Sequence, residues 1–100
     1  MSCSILITTA IDHSALAACI ARVGHANIEQ VFFHSEGLDC DWTQLSHTLS
    51  TLAHDTTLAY CGSALTQRNR NADNLPNYIA PLGLTEFFTR VHVSSDFIQL

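Results

Sequence analysis

The apolar segment Thr57-Leu58-Ala59-Tyr60 ends on Cys61, and Gly62-Ser63 then leads at once into a helix-forming run, Ala64-Leu65-Thr66-Gln67-Arg68. A strand-end cysteine that opens a helix faces unpaired N–H groups and the positive end of the helix dipole, both of which favour thiolate over thiol. Cys61 is therefore the candidate nucleophile. Gly62 leaves the sulfur open to a partner, Ser63 can cap the helix or donate a hydrogen bond, and Arg68 adds a nearby positive charge. The competing reading is a buried, inert thiol, because cysteine is among the most buried residue types.

The other three cysteines point to different roles. Cys3 starts the first apolar segment, on the rim opposite Cys61, and Cys19 falls on the apolar stripe of a helix, so both read as structural. Cys40 sits between Asp39 and Asp41, whose charges disfavour a thiolate, and it is kept as a candidate resolving thiol. His34, at the end of Ile28-Glu29-Gln30-Val31-Phe32-Phe33, belongs to the same rim as Cys61 and is a candidate neighbour of the thiol. Six histidines and four cysteines are many potential ligands, yet no C-x-x-C or H-x-x-x-H pair occurs. No metal site is read from that spacing. Gly24, Gly37, Gly62 and Gly83 stand alone, so there is no phosphate-cradling loop and no cofactor is expected.

These residues need a scaffold, and the pattern of the chain supplies one. Ser4–Thr9, Ile28–His34 and Thr57–Cys61 are short apolar segments of the kind that lie buried on both faces of a sheet. Between them, Asp12 can cap a helix whose stripe of Ala15, Leu16, Cys19, Ile20 and Val23 stops at Gly24. Asp41 can cap a second helix carrying Trp42, Leu45, Leu49 and Leu52. Asn69 to Asn77 is polar and turn-rich and reads as a mobile loop. Tyr78-Ile79-Ala80 is expected as a short fourth strand, Leu84, Phe87, Phe88 and Val91 as a helical stripe, and Phe97 to Leu100 as a last strand. Alternation of this kind predicts an α/β fold, a three-layer α/β/α sandwich with a mostly parallel sheet of about five strands.

One hundred residues and 11.0 kDa hold a single domain, spanning 1–100. The longest apolar runs are far shorter than the ~18 residues that would span a bilayer, and the start of the chain lacks a basic leader, so a cytosolic location is expected. Four arginines against nine carboxylates give a net charge of −5, which repels a phosphate backbone and disfavours direct nucleic-acid binding. Charged residues make up only 13%, about half the usual ~25%, which suggests that part of the surface faces another protein.

The run Val31-Phe32-Phe33-His34-Ser35-Glu36-Gly37-Leu38, the tryptophan-bearing helix and Leu58-Ala59-Tyr60-Cys61-Gly62-Ser63-Ala64-Leu65 with Arg68 together resemble the DsrE/TusD sulfur-relay proteins. The ending Ser95-Asp96-Phe97-Ile98-Gln99-Leu100 is similar too. The resemblance implies a small α/β sulfurtransferase subunit whose strand-end cysteine, here Cys61, accepts persulfide sulfur from a donor protein and passes it to an acceptor cysteine. It further implies sister subunits of TusB/TusC or DsrF/DsrH type in an oligomer that serves tRNA 2-thiouridine formation or sulfur oxidation. His34 stands where that family usually has tyrosine, Gln67-Arg68-Asn69 where it commonly has two arginines and a glycine, and the loop after Gly37 is shorter. Two further readings of the same residues are a non-catalytic interaction subunit of the same fold and a monomeric small-molecule binding module.

Overall fold

The computed structural model describes residues 2–91 and 96–100; Ser95, named above in the ending of the chain, and His92, one of the six histidines, lie outside them. Five strands form one all-parallel sheet: β1 (Cys3–Ile7), β2 (Ile28–Phe33), β3 (Thr57–Tyr60), β4 (Ala80–Pro81) and β5 (Asp96–Gln99), in the order β4-β3-β2-β1-β5. The helices are α1 (His13–Val23), α2 (Trp42–Ser50), α3 (Gly62–Gln67) and α4 (Leu84–Thr89). This is the expected α/β class.

Both long helices begin where the sequence places a cap. Asp12 accepts from the Ala15 N–H at 2.8 Å and Asp41 from the Gln44 N–H at 3.1 Å, which satisfies first-turn donors that have no helical partner. Gly24 ends α1 at φ 92°, a conformation open to glycine at little cost.

The β1-α1-β2 and β2-α2-β3 crossovers step across the sheet in one direction, and right-handed connections put α1 and α2 on one face. There the two helices touch each other, and Trp42 of α2 meets Phe33 edge-on with ring centroids 4.7 Å apart. The return from β4 to β5 runs the other way and carries α4 to the opposite face. On that face Phe87 stacks on Phe32 at 5.0 Å. The buried Gln30 amide donates to Ser4 Oγ at 2.9 Å and to the Phe87 carbonyl at 3.2 Å, tying α4 to the two central strands. Leu16, Leu45, Leu49, Val31, Phe32, Phe33 and Phe87 are fully buried and form the centre of the core.

Several boundaries differ from those expected. β1 runs from Cys3 to Ile7 rather than from Ser4 to Thr9, and the Thr8 N–H and hydroxyl just past its end both donate to the Leu100 carbonyl alongside β5. The fourth strand is Ala80–Pro81 rather than Tyr78–Ala80. It is an edge strand, where proline's missing N–H removes no ladder bond on the solvent side. α3 starts at Gly62, two residues before the apolar run suggests. The chain leaving β2 forms a 3-10 turn, Ser35–Asp39, before Asp41 caps α2. Asn69–Asn77 is largely exposed, carries another 3-10 turn at Ala72–Asn74, and is followed by Tyr78, whose hydroxyl donates to the Ser46 carbonyl at 3.0 Å. Among the described residues, no helix is long and apolar enough to cross a membrane.

Candidate functional site

At the carboxyl ends of β2 and β3 a cleft of about 540 Å3 opens on the α4 side of the sheet. Its walls come from three places in the chain: His34 after β2, Cys61-Gly62-Ser63 at the β3–α3 junction, and Pro81 to Leu84 with Glu86 around the start of α4. Parallel sheets gather ligands at this rim because loops converge there.

Cys61 is the residue just past β3 and the N-cap of α3, still extended at φ −81°, ψ 110°. Its N–H continues the β2–β3 ladder by donating to the Phe33 carbonyl at 3.0 Å, and its carbonyl accepts from Leu65 at 3.0 Å. Backbone bonds on both sides thus fix the Cα. The sulfur makes no capping bond and lies 3.4 Å from Ser63 Oγ. Cys61 is 6% exposed, so the thiol reaches solvent only through the cleft. Gly62 is not required for chain clearance, since a Cβ there would meet only the Pro81 side chain at 4.0 Å. Its hydrogen atom keeps the cleft floor low beside the sulfur.

His34 stays extended at φ −144°, ψ 158°, with its N–H bonded to the Ile7 carbonyl at 3.0 Å and its Nδ1 2.7 Å from Ser35 Oγ. Ser35 takes φ 53°, the left-handed region that side-chain-bearing residues rarely adopt. Two residues on, Gly37 packs so closely on β1 that a Cβ would fall 2.1 Å from the Ile7 carbonyl oxygen. The 3-10 turn is thereby clamped to the strand end, and His34 with it.

Arg68 does not join this group. Its guanidinium forks onto Asp39, with Nε 2.9 Å from Oδ1 and the second arm on Oδ2, and Arg70 approaches the same carboxylate at 3.3 Å. The Arg68 hydrogen bond holds the Asp39 carboxyl below its ordinary range, and the same bond raises Arg68. These three side chains line a separate open depression of about 600 Å3 with Gln67 and Asn69. It holds no nucleophile, and its one carboxylate is shared between the two guanidinium groups. The expectation that Arg68 supplies positive charge to Cys61 is corrected: an aspartate on the Ser35–Asp39 turn captures it.

All four cysteines are free. Cys40 is 7% exposed, and burial pushes its thiol up to about 12. The flanking aspartates, which the sequence suggests as the reason, contribute less than desolvation. Cys3 opens β1 at the amino rim, and burial raises its thiol, with Cys19 and Asp96 adding to the effect. Cys19 is buried in α1 at 3% exposure. Neither Cys3, Cys19 nor Cys40 lines the cleft. Among the described residues, no three histidine, cysteine or carboxylate side chains come together as a metal site.

Two parts of the cleft were not read from the sequence. Leu82-Gly83-Leu84 and Glu86 come from a return connection whose path is set by the sheet order, and a polar residue in a short helix gives no local sign of facing a cysteine about 25 positions earlier.

No protein-family model matches the chain, and no curated protein matches it. A solved structure of a protein of unknown function from Methanobacterium thermoautotrophicum is similar over 100% of both chains, with a TM-score of 0.71 at 16% sequence identity. That likeness shows the α/β fold across the whole chain.

Proposed function

We propose that this chain is a cytoplasmic sulfurtransferase subunit, a persulfide carrier that takes sulfur onto Cys61 from a donor protein and passes it to an acceptor cysteine. One observation carries the reading: of four free cysteines, Cys61 alone opens into a cleft at the carboxyl rim of the parallel sheet. A carrier needs its thiol reachable by a narrow, flexible partner group yet screened from bulk oxidants, and a sulfur at the floor of a cleft meets both needs. The Ser63 hydroxyl stands at hydrogen-bond range to stabilise the sulfur anion that forms when the persulfide is handed on. The DsrE/TusD resemblance supports the same assignment and, with it, sister subunits and a place in tRNA thiolation or sulfur oxidation.

The non-catalytic subunit remains the competitor, favoured by the low exposure of Cys61. A pulse-chase experiment separates the two. The protein is charged with isotopically labelled sulfur from glutathione persulfide, desalted, and mixed with a small acceptor thiol. The carrier reading expects label to load on Cys61 and leave stoichiometrically to the acceptor. Label that never loads, or that stays bound through the chase, supports the scaffold.

A further inference from the structure

His34 and Cys61 are neighbours across two strands. Phe33 lies opposite Tyr60 in the parallel register, and the Cys61 N–H to Phe33 carbonyl bond carries the ladder one step further. Residues 34 and 61 therefore sit side by side on one sheet face, the face on which Phe32 and His34 bring their rings to 6.1 Å. Both side chains line the cleft. With Nδ1 held by Ser35, Nε2 is the ring nitrogen that has no hydrogen-bond partner among the described residues. The strained φ at Ser35 and the close packing of Gly37 on Ile7 fix that arrangement from below. Backbone strain persists where the surrounding structure over-determines it, and such places cluster at functional sites.

We propose that His34 is the proton acceptor and donor for Cys61, with Ser35 as the positioning residue that sets its tautomer. The proposal rests on the carrier reading for its substrate, a persulfide R–S–SH, and on the cross-strand geometry for the residue. Nε2 takes the proton from the Cys61 thiol, and the thiolate attacks the terminal sulfur of R–S–SH. The new Cys61 S–S bond forms as the donor S–S bond breaks, the bonding pair leaves on R–S⁻, and R–S⁻ takes the proton back from Nε2. The products are Cys61–S–SH and R–SH, with no net oxidation or reduction. Hand-off to an acceptor thiol runs the same proton in the same cycle. The other titratable groups that line the cleft are Cys61 itself and Glu86 from α4, whose carboxylate lies 4.0 Å from the Arg90 guanidinium, while Glu36 follows in the same 3-10 turn.

The test uses two probes on the intact protein. Iodoacetamide reads thiol activation alone, and glutathione persulfide reads sulfur uptake. His34→Gln is expected to slow both reactions at Cys61 by about 10²-fold, the lower end of general acid–base effects. It should also remove one limb of the alkylation pH–rate profile. Added imidazole should restore the rate of His34→Ala, and Ser35→Ala should fall between wild type and His34→Gln. A structural role for His34 would shift the urea midpoint and leave the shape of the pH profile unchanged. Equal alkylation rates and identical profiles for wild type and His34→Gln overturn the proposal, even if Cys61 still takes up sulfur. If His34 governs alkylation but glutathione persulfide loads no sulfur, the pairing stands and the carrier reading fails.

Discussion

Cys40 and Cys61, about 20 residues apart, are both nearly buried, at 7% and 6% exposure, and they differ in that Cys61 lines the cleft and Cys40 does not. Cys40 is enclosed, and its thiol is raised from 9.0 to about 12. An acid whose folded pKa exceeds its unfolded one stabilises the fold fully below the unfolded value and loses that contribution as pH climbs toward the folded one. Stability is therefore expected to fall between about pH 9 and pH 12, as the unfolded chain ionises Cys40 and the folded chain does not. Urea midpoints measured across that window should decline less in Cys40→Ala than in the wild type. Cys3 and Tyr78 are raised in the same direction and contribute a decline that Cys40→Ala retains. An equal decline in the two proteins would remove Cys40 from the account. At neutral pH the raised thiol is expected to make Cys40 a slower target for alkylating agents than Cys61, which peptide mapping of the adducts checks.

The turn after β2 and the junction after β3 each carry a glycine, but for different reasons. Gly37→Ala places a Cβ against the Ile7 carbonyl, and backbone cannot yield as a flexible side chain would. The expected cost is at least about 1–3 kcal/mol of overpacking, read as a lower urea midpoint. Displacement of the turn that holds His34 should slow Cys61 alkylation as well. Gly62→Ala meets only ordinary contact with Pro81 and opens α3 with a better helix former, so stability should be unchanged or higher by up to about 1 kcal/mol. Its added methyl stands in the cleft, so uptake from a bulky persulfide should slow while the fold holds. If both variants prove equally stable, the clamping of the Ser35–Asp39 turn on β1 is refuted.

Among the described residues, the α4 face is the thinly covered one. A six-residue helix shields it, leaving Phe88 at 47%, Phe97 at 41% and Leu84 at 38% exposure, with the Phe88 and Phe97 rings 6.0 Å apart. Soluble monomers rarely leave such neighbours bare in a large patch, so an assembly is expected, and light scattering at micromolar concentration should report a mass above 11.0 kDa. Phe88→Asp should shift that mass toward the monomer. A wild-type mass of 11.0 kDa would contradict the expectation.

The architecture was legible in the sequence because apolar segments alternating with capped, striped helices admit few parallel arrangements, and Asp12, Asp41 and Gly24 mark their ends locally. Cys61 was legible for the same reason, as a strand end meeting a helix start. The fate of Arg68 was not, because its partner Asp39 lies 29 residues away and only the fold decides which carboxylate reaches a guanidinium first. Glu86 and the Leu82–Leu84 wall depend in the same way on where the last crossover returns.

The central claim is that Cys61 is the one thiol that takes up sulfur. Its most direct test is whole-protein mass spectrometry after incubation with glutathione persulfide, with the adduct mapped to a peptide. The expected result is one added sulfur, located on Cys61, in a wild-type protein, and none in a folded Cys61→Ser variant. An adduct on Cys3, Cys19 or Cys40 at comparable yield, or uptake that survives Cys61→Ser, would contradict it.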